Sequence, residues 1–484
     1  MKATVQRLIG VLLLLLAEPV FAAWFRAETP AFVLYGQGSA RLTSVAATQL
    51  AAFDQLLHQL TGDHADVPRA RVNIYLVTDP GDSDRLRDGV QWASGFYTAT
   101  PQNIVAMVDA TGNDQAAAQR VLFHEYAHHF MFAHQNGSYP AWYIEGLASY
   151  WETARFGGGK ARYGDYDQGR AQALSLASWM PMARVIATDF ETLPGNELSM
   201  FYAQSWLMAH YFSSDPQRAA ALARYLATVA TGTTPTTAFA ATFGFPIERF
   251  DKQLIDYVMG RTLRATELPF APPPPVAAQP LVPVADALLI SAVQLDIGVP
   301  DRAAPALLDR IRRIAARTPD DISAQTVLAT AELRLADPAL ARPRIESLLA
   351  TNPDSARLLL LLGEAQRGMG ETDAATTLAR ADVLRPNDYR ILFQRALAQP
   401  AGAAGERRAL LDRANRLAPQ VDAVAMATAE AAVLAQDYAA ARALLGPIAN
   451  NPHGGSNATT ARNWLKQLPA AAPVDGAIKA APPK

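Results

Sequence analysis

Five prolines recur at nearly constant spacing in the C-terminal half of the chain. They are Pro319, Pro353, Pro386, Pro419 and Pro452, separated by 34, 33, 33 and 33 residues. The first three precede Asp or Asn, pairs that favour turns, and Ala- and Leu-rich amphipathic stretches lie between the prolines. A period of this length predicts a solenoid of helix pairs, in which each proline marks the start of a new helical hairpin.

The repeat region, residues 285–468, resembles the tetratricopeptide repeat. The period carries the resemblance, together with small residues at Gly363, Ala375 and Ala381, where paired helices would come close. The Trp and Tyr positions usual in that repeat are not kept. The resemblance implies an all-α solenoid and indicates no particular ligand.

Two biased segments flank the repeats. Residues 268–284 are rich in proline, which predicts a semi-rigid linker. Residues 469–484 are rich in Ala and Pro, and we expect a disordered tail there.

Residues 24–267 mix strand and helix patterns, which predicts an α+β domain. Strands are expected at 31–35, 72–77 and 104–108, and a helix over 41–60. Residues 141–260 are predicted to be mostly helical. The strand at 104–108 is expected at a sheet edge, where an extended substrate could add to it.

The N-terminus has the three parts of a secretory signal. Lys2 and Arg7 supply positive charge, Leu8–Ala17 is apolar, and small residues at Ala22 and Ala23 offer a cleavage site. The apolar stretch would rise only about 15 Å as a helix, too little for a bilayer core of about 30 Å. Residues 1–23 are therefore predicted to be a cleaved signal, leaving a periplasmic or secreted protein with no transmembrane anchor.

The composition argues against a disulfide-bonded, lipid-modified or nucleic-acid-binding protein. The chain contains no cysteine, so it has neither disulfides nor a lipid-modified cysteine after the signal. The formal net charge is −2, and no dense basic run would follow a phosphate backbone, which argues against a nucleic-acid partner.

His124-Glu125-Tyr126-Ala127-His128 is an HExxH pattern within a predicted helix, residues 115–134. Residues four apart share a helix face, so His124 and His128 can hold one zinc ion between them. Glu125 stands beside that face, within reach of a water at the metal, as a general base requires.

A zinc site with a catalytic water needs a third protein ligand, for which a carboxylate is well suited. Glu145 is the main candidate, because the turn signal at 135–140 would bring the next helix back antiparallel to the first. Glu152 lies on the same face and is the alternative ligand.

At these residues the sequence resembles the gluzincin metallopeptidases. HExxH is followed by a glutamate on the next helix, in the setting Glu145-Gly146-Leu147-Ala148-Ser149-Tyr150. The similarity is greatest to the bacterial branch that couples a peptidase-MA-like domain to repeats, and it covers about 90 residues if the helix around Tyr202 is included. It implies a zincin-like fold with zinc held by His124, His128 and Glu145.

The resemblance also implies residue roles. Glu125 would act as general base and acid in peptide-bond hydrolysis, and Tyr202 or Tyr139 would donate to the developing oxyanion. Ser149 departs from the thermolysin-type pattern, which has aspartate there, so support for a histidine ligand must come from elsewhere. His129 is expected to point away from the metal, and the remaining candidates are interpreted as structural: His58, His64, His134 and His210.

Two functions follow. The first is an exported zinc metallopeptidase whose repeats recruit a protein or peptide substrate or an envelope protein. The alternative is a repeat-based binding scaffold with a non-catalytic zincin domain. An intact Glu125 favours the enzyme, because a purely structural zinc site has no need of a general base.

Overall fold

The structure is a computed structural model that describes most of the chain. The described ranges are 24–63, 68–87, 94–135, 137–166, 168–176, 178–187, 193–260 and 263–469. The predicted signal, residues 1–23, and residues 470–484 of the predicted tail lie outside them. No helix among the described residues is both long and apolar enough to cross a membrane.

A mixed sheet of six strands forms the centre of the N-terminal part. The strands are β1 (Trp24–Glu28), β2 (Phe32–Gln37), β3 (Val72–Val77), β4 (Gly95–Ala99), β5 (Ile104–Asp109) and β9 (Ala278–Pro280). Their order is β4-β5-β3-β2-β1-β9. β2, β3 and β5 pair in parallel, and the other pairs are antiparallel. The three predicted strands correspond to β2, β3 and β5.

The edge assignment predicted from the sequence is wrong. β5 lies between β3 and β4, so its backbone is already paired on both sides, and β4 is the edge strand. That position was inferred from the order of the strands along the chain, yet the uniformly apolar composition of β5 is typical of a strand buried inside a sheet.

Two long helices cover one face of the sheet, α1 (Ala40–Thr61) and α3 (Gln115–His134). The Phe53 ring of α1 stacks on the Phe123 ring of α3, with centroids 4.2 Å apart. A short helix, α2 (Pro80–Leu86), follows β3. The remaining helices of this part are α4 (Ala141–Trp151), α5 (Gln168–Leu176), α6 (Met182–Ala187), α7 (Gly195–Ser213), α8 (Pro216–Ala230), α9 (Pro235–Phe243) and α10 (Phe250–Met259).

The proline-rich segment is not a free spacer. β8 (Thr266–Pro269) joins β6 (Arg155–Gly157) and β7 (Lys160–Tyr163) in a small antiparallel sheet, and β9 extends the main sheet. Both strands lie at sheet edges, where proline is tolerated because the outward amide needs no partner in the sheet. The segment predicted as a linker is thus fastened to the N-terminal part.

Helix pairs make up the C-terminal part, as the repeat period predicted. After α11 (Pro283–Ile297) come α12 (Ala304–Arg317), α13 (Ile322–Leu335), α14 (Pro338–Thr351), α15 (Ala356–Gly368), α16 (Ala374–Leu384), α17 (Tyr389–Leu397), α18 (Ala404–Leu417), α19 (Asp422–Leu434), α20 (Tyr438–Asn450) and α21 (Gly455–Gln467). Each of the five periodic prolines lies in a turn between two helices. Asp321, Ser355 and Asp388 cap the helices that follow the first three.

The helical repeats fold back on the N-terminal part. At their start, Ile290 and Val293 of α11 are buried against the sheet, in a cluster with Tyr75 and Met107. Farther along, residues of α17 and α18 join the main hydrophobic core. The backbone amide of Ala70 donates to the Leu417 carbonyl at 2.8 Å. The array therefore contacts the N-terminal part at several places along its length.

Candidate active site

Helix α3 carries the HExxH residues, of which Glu125 and His128 are buried. Asp114 caps the helix by accepting from the Ala117 amide at 3.0 Å. The helix is buried over most of its second half, as expected for a segment that is apolar all round. His124 and His128 lie one turn apart, and their Nε2 atoms are 3.1 Å from each other.

Helix α4 brings Glu145 to the same point. Its side chain is fully buried, and its Oε2 lies 3.5 Å from His124 Nε2 and 3.7 Å from His128 Nε2. Gly146 explains how α4 can lie so deep, because a Cβ there would stand 2.3 Å from the Ser205 carbonyl oxygen of α7. A larger residue would separate the two helices and displace Glu145.

These three atoms fit a metal ion. Four ligands at 2.0–2.2 Å in a tetrahedron stand about 3.3–3.6 Å apart, close to the observed separations of 3.1, 3.5 and 3.7 Å. Glu145 Oε2 is buried without a hydrogen-bond partner. A buried carboxylate oxygen is costly to leave unpaired, and a divalent cation between it and the imidazoles would satisfy it.

Glu152 lies on the outer side of His124, away from the point where Glu145 meets the histidines. Its Oε2 lies 2.8 Å from His124 Nδ1, so it accepts from the ring nitrogen that faces away from Glu145. Arg170 donates to Glu152 Oε1 at 2.6 Å and to Ser149 Oγ at 3.2 Å. A carboxylate on the outer nitrogen of a metal-binding histidine fixes the ring's orientation, and Glu152 lies where such a carboxylate would stand.

The electrostatics of the group favour positive charge between the carboxylates. Burial alone lowers the pKa of His124, but the nearby carboxylates of Glu145 and Glu152 outweigh it and raise that pKa to about 10. Burial likewise raises the pKa of Glu145, yet His128 and His453 hold it well below its usual range. A proton or a metal ion at this point is therefore stabilised by the surrounding protein.

A cavity of about 680 Å³ opens onto this group and contains Glu125. Burial raises the pKa of Glu125 to about 7. Gly95 of β4 allows the edge strand to approach here, since a Cβ would stand 3.2 Å from Glu125 Cγ and 2.5 Å from Val121 Cγ1. The general-base candidate thus lies beside both the histidines and the end of the edge strand.

The two tyrosine candidates for the oxyanion donor lie in different surroundings. Tyr202 of α7 lines the cavity, whereas Tyr139 packs against Tyr143, with ring centroids 5.1 Å apart, and is not among the cavity residues. Burial raises the pKa of Tyr202 well above its usual value. Its hydroxyl therefore keeps its proton at neutral pH and can act as a hydrogen-bond donor.

His453 also lines the cavity, and the sequence predictions did not include it. It lies in the turn between α20 and α21, 308 residues from Glu145, and its Nε2 is 2.8 Å from Glu145 Oε1. The available sequence signal was its position directly after the fifth periodic proline, where the other repeats carry Asp, Asn or Gln.

The other histidines that the structure describes do not line the cavity. His129 is buried, with its Nδ1 3.3 Å from the Tyr97 hydroxyl, and His210 Nδ1 is 2.8 Å from the Tyr257 hydroxyl. His58, Asp63 and His134 form a second group close enough to share a metal ion. Their association was not predicted, because His58 and His134 belong to different helices. His64 lies outside the described residues.

No protein-family model matches the sequence, and no curated protein matches it. Among solved structures, a thermophilic TPR protein of Thermus thermophilus is 20% identical and covers 38% of this chain and 98% of its own, with a TM-score of 0.31. A MamA RS-1 double mutant is 16% identical and covers 36% and 97%, with a TM-score of 0.29.

Proposed function

We propose that this chain is an exported zinc-dependent metallopeptidase with a zincin-like domain of the gluzincin type. The observation that supports it most is the buried Glu145 Oε2, which has no hydrogen-bond partner and faces the Nε2 atoms of His124 and His128 at tetrahedral spacing. Glu125 adjoins this group in the same cavity. A structural metal site would need no second carboxylate in that position.

Each residue has a distinct task in peptide hydrolysis. His124, His128 and Glu145 would hold zinc, which supplies Lewis-acid polarisation of a carbonyl and acidifies a bound water. Glu125 takes a proton from the attacking water and delivers it to the leaving amine. Glu152 keeps His124 oriented by accepting from its Nδ1.

The cavity walls suit an extended peptide. β4 is the edge strand and passes beside Glu125, so a substrate backbone can pair with its free side. Strand addition of this kind supplies main-chain hydrogen bonds without reading side chains. Tyr202 of α7 lines the same cavity and would donate to the oxyanion that develops at the scissile carbonyl.

The decisive experiment replaces Glu125 with Gln. Peptidase activity should fall by about 10²–10⁴, the range for loss of a general acid–base group, while zinc content stays unchanged. Glu346→Gln removes an exposed carboxylate of the repeats as the matched control and should leave activity intact. Full peptidase activity in Glu125→Gln would refute the proposal.

The extent of the helical repeats favours a second function, that of a binding scaffold. Residues 285–468 are more than a small enzyme needs for chemistry, and repeat arrays present extended surfaces for protein partners. The repeats would then bind an envelope protein or a peptide. Tight binding of that partner by zinc-free protein, with no hydrolysis by the zinc-loaded form, would favour this second function.

A further inference from the structure

The turns that contain the five periodic prolines follow one plan. In each turn a single residue separates the proline from the residue that precedes the next helix. Those single residues are Asp320, Asp354, Asn387, Gln420 and His453. The fifth turn thus places an imidazole where the other four place an acid or an amide.

The fifth turn also differs in its backbone. In the first four turns the residue before proline has φ between −134° and −141° and ψ between 60° and 76°. Its counterpart in the fifth turn, Asn451, has φ −64° and ψ 117°. The turn is anchored to the N-terminal part, since Asn450 Nδ2 donates to Ser138 Oγ at 2.8 Å. This geometry directs His453 into the cavity.

His453 meets the carboxylate of Glu145 there. Its Nε2 lies 2.8 Å from Glu145 Oε1, and its ring is edge-on to that of His128, with centroids 5.1 Å apart. A carboxylate of this kind only accepts, so His453 Nε2 carries the hydrogen. With Oε1 engaged in this way, Oε2 is the oxygen that faces the two histidines of α3.

We propose that His453 is a positioning residue of the metal site, supplied by the last repeat. This inference rests on the proposed function, since it assumes that Glu145 binds zinc. Removing the imidazole leaves Oε1 with one partner fewer in a fully buried position and frees the carboxylate to turn. The repeat array is therefore a structural part of the site, beyond any role in recruiting substrate.

The test measures zinc affinity of the full chain by competition with a chelator, with no reference to activity. His453→Ala should weaken zinc binding by about 10- to 100-fold, the usual effect of removing a partner of a metal ligand. His453→Gln keeps an N–H donor and should retain most of the affinity. Asp320→Ala, at the equivalent position of the first turn, should bind zinc as the wild type does.

Thermal melting of the metal-free variants separates positioning from folding. His453→Gln and Asp320→Ala should melt close to the wild type, because Gln keeps a donor for Glu145 and Asp320 lies in a turn outside the hydrophobic core. His453→Ala should still melt in one cooperative transition, lowered only by the partner that buried Glu145 loses. Wild-type zinc affinity in His453→Ala, or equal losses in His453→Ala and His453→Gln, would overturn the role of His453 alone. A wild type that binds no zinc would overturn both this inference and the proposed function.

Discussion

Helix α3 contributes histidines to two groups of potential metal ligands. Each group consists of two histidines and one carboxylate. One is His124, His128 and Glu145, and the other, here called the outer group, is His58, Asp63 and His134. The atoms of the outer group already satisfy one another. His134 Nδ1 lies 2.7 Å from Asp63 Oδ2, and His58 Nδ1 lies 2.8 Å from the Asp63 carbonyl oxygen.

The two groups differ in whether their ligand atoms already have hydrogen-bond partners. In the outer group, histidines in the last turns of α1 and α3 bond a single aspartate, a favourable position for a basic group. In the inner group, Glu145 Oε2 is buried and lacks a hydrogen-bond partner, and each imidazole presents Nε2 to it. Residue types alone therefore do not separate the two groups, whereas the buried and unpartnered oxygen of Glu145 does.

The largest expected effect comes from exchanging one histidine in each group for alanine. His128→Ala should lower zinc affinity by more than the 10- to 100-fold typical of outer partners, because it removes a ligand. His134→Ala should leave the affinity within about twofold. Chelator competition on both variants measures this, and similar losses would erase the distinction between the groups.

A smaller loss is expected at Glu152, which contacts the outer nitrogen of His124. Glu152→Gln keeps the shape and an acceptor but removes the charge that favours His124 and Arg170 together. Zinc affinity should fall by about 10-fold. A loss as complete as that of Glu145→Ala would show instead that Glu152 is itself a ligand, the alternative that the sequence left open.

A substitution at Gly146 tests whether the close contact between α4 and α7 holds the inner group in place. An alanine Cβ at 146 would collide with the Ser205 carbonyl, so Gly146→Ala should destabilise the fold by about 1–3 kcal/mol. Gly405→Ala is the matched helical control, since nothing lies within 4 Å of its Cβ. That change should stabilise the protein by up to about 1 kcal/mol, and urea unfolding compares the two.

The smallest effect is a pH dependence of stability from the outer group. Burial and the neighbouring His58 lower the pKa of His134, and Asp63 does not fully offset them. Because the folded pKa lies below the unfolded value of 6.5, the unfolded chain binds more protons as the pH falls below 6.5, and stability declines. His134→Asn should therefore lose less stability than the wild type between pH 8 and pH 5.5. The free energy of unfolding in urea, measured with a chelator present, compares the two proteins. An unchanged decline would contradict the assignment.

Features that leave a local pattern in the sequence were predictable, and contacts between residues far apart in the chain were not. The α3 helix, the strands β2, β3 and β5, and the repeat turns each leave a local pattern. The inner group needed only the spacing of HExxH and the turn before Glu145. Glu152 as a partner of His124, and Arg170 behind it, depend on which way one ring nitrogen points, which no spacing encodes.

His453 was the site residue hardest to predict from the sequence. It lies 308 residues from its partner Glu145, and only alignment of the repeat turns singles it out. β4 was missed for a related reason, because its role follows from Gly95 permitting close approach to α3 and not from its own composition.

Metal analysis of purified wild type beside Glu145→Ala and Asp63→Asn tests the central claim most directly. Asp63→Asn disturbs the outer group only, whereas Glu145→Ala removes the unsatisfied carboxylate of the inner group. The account predicts about one zinc per chain in the wild type and in Asp63→Asn, and loss of that zinc in Glu145→Ala. Zinc retained in Glu145→Ala, or wild-type protein that holds iron or no metal, would contradict it.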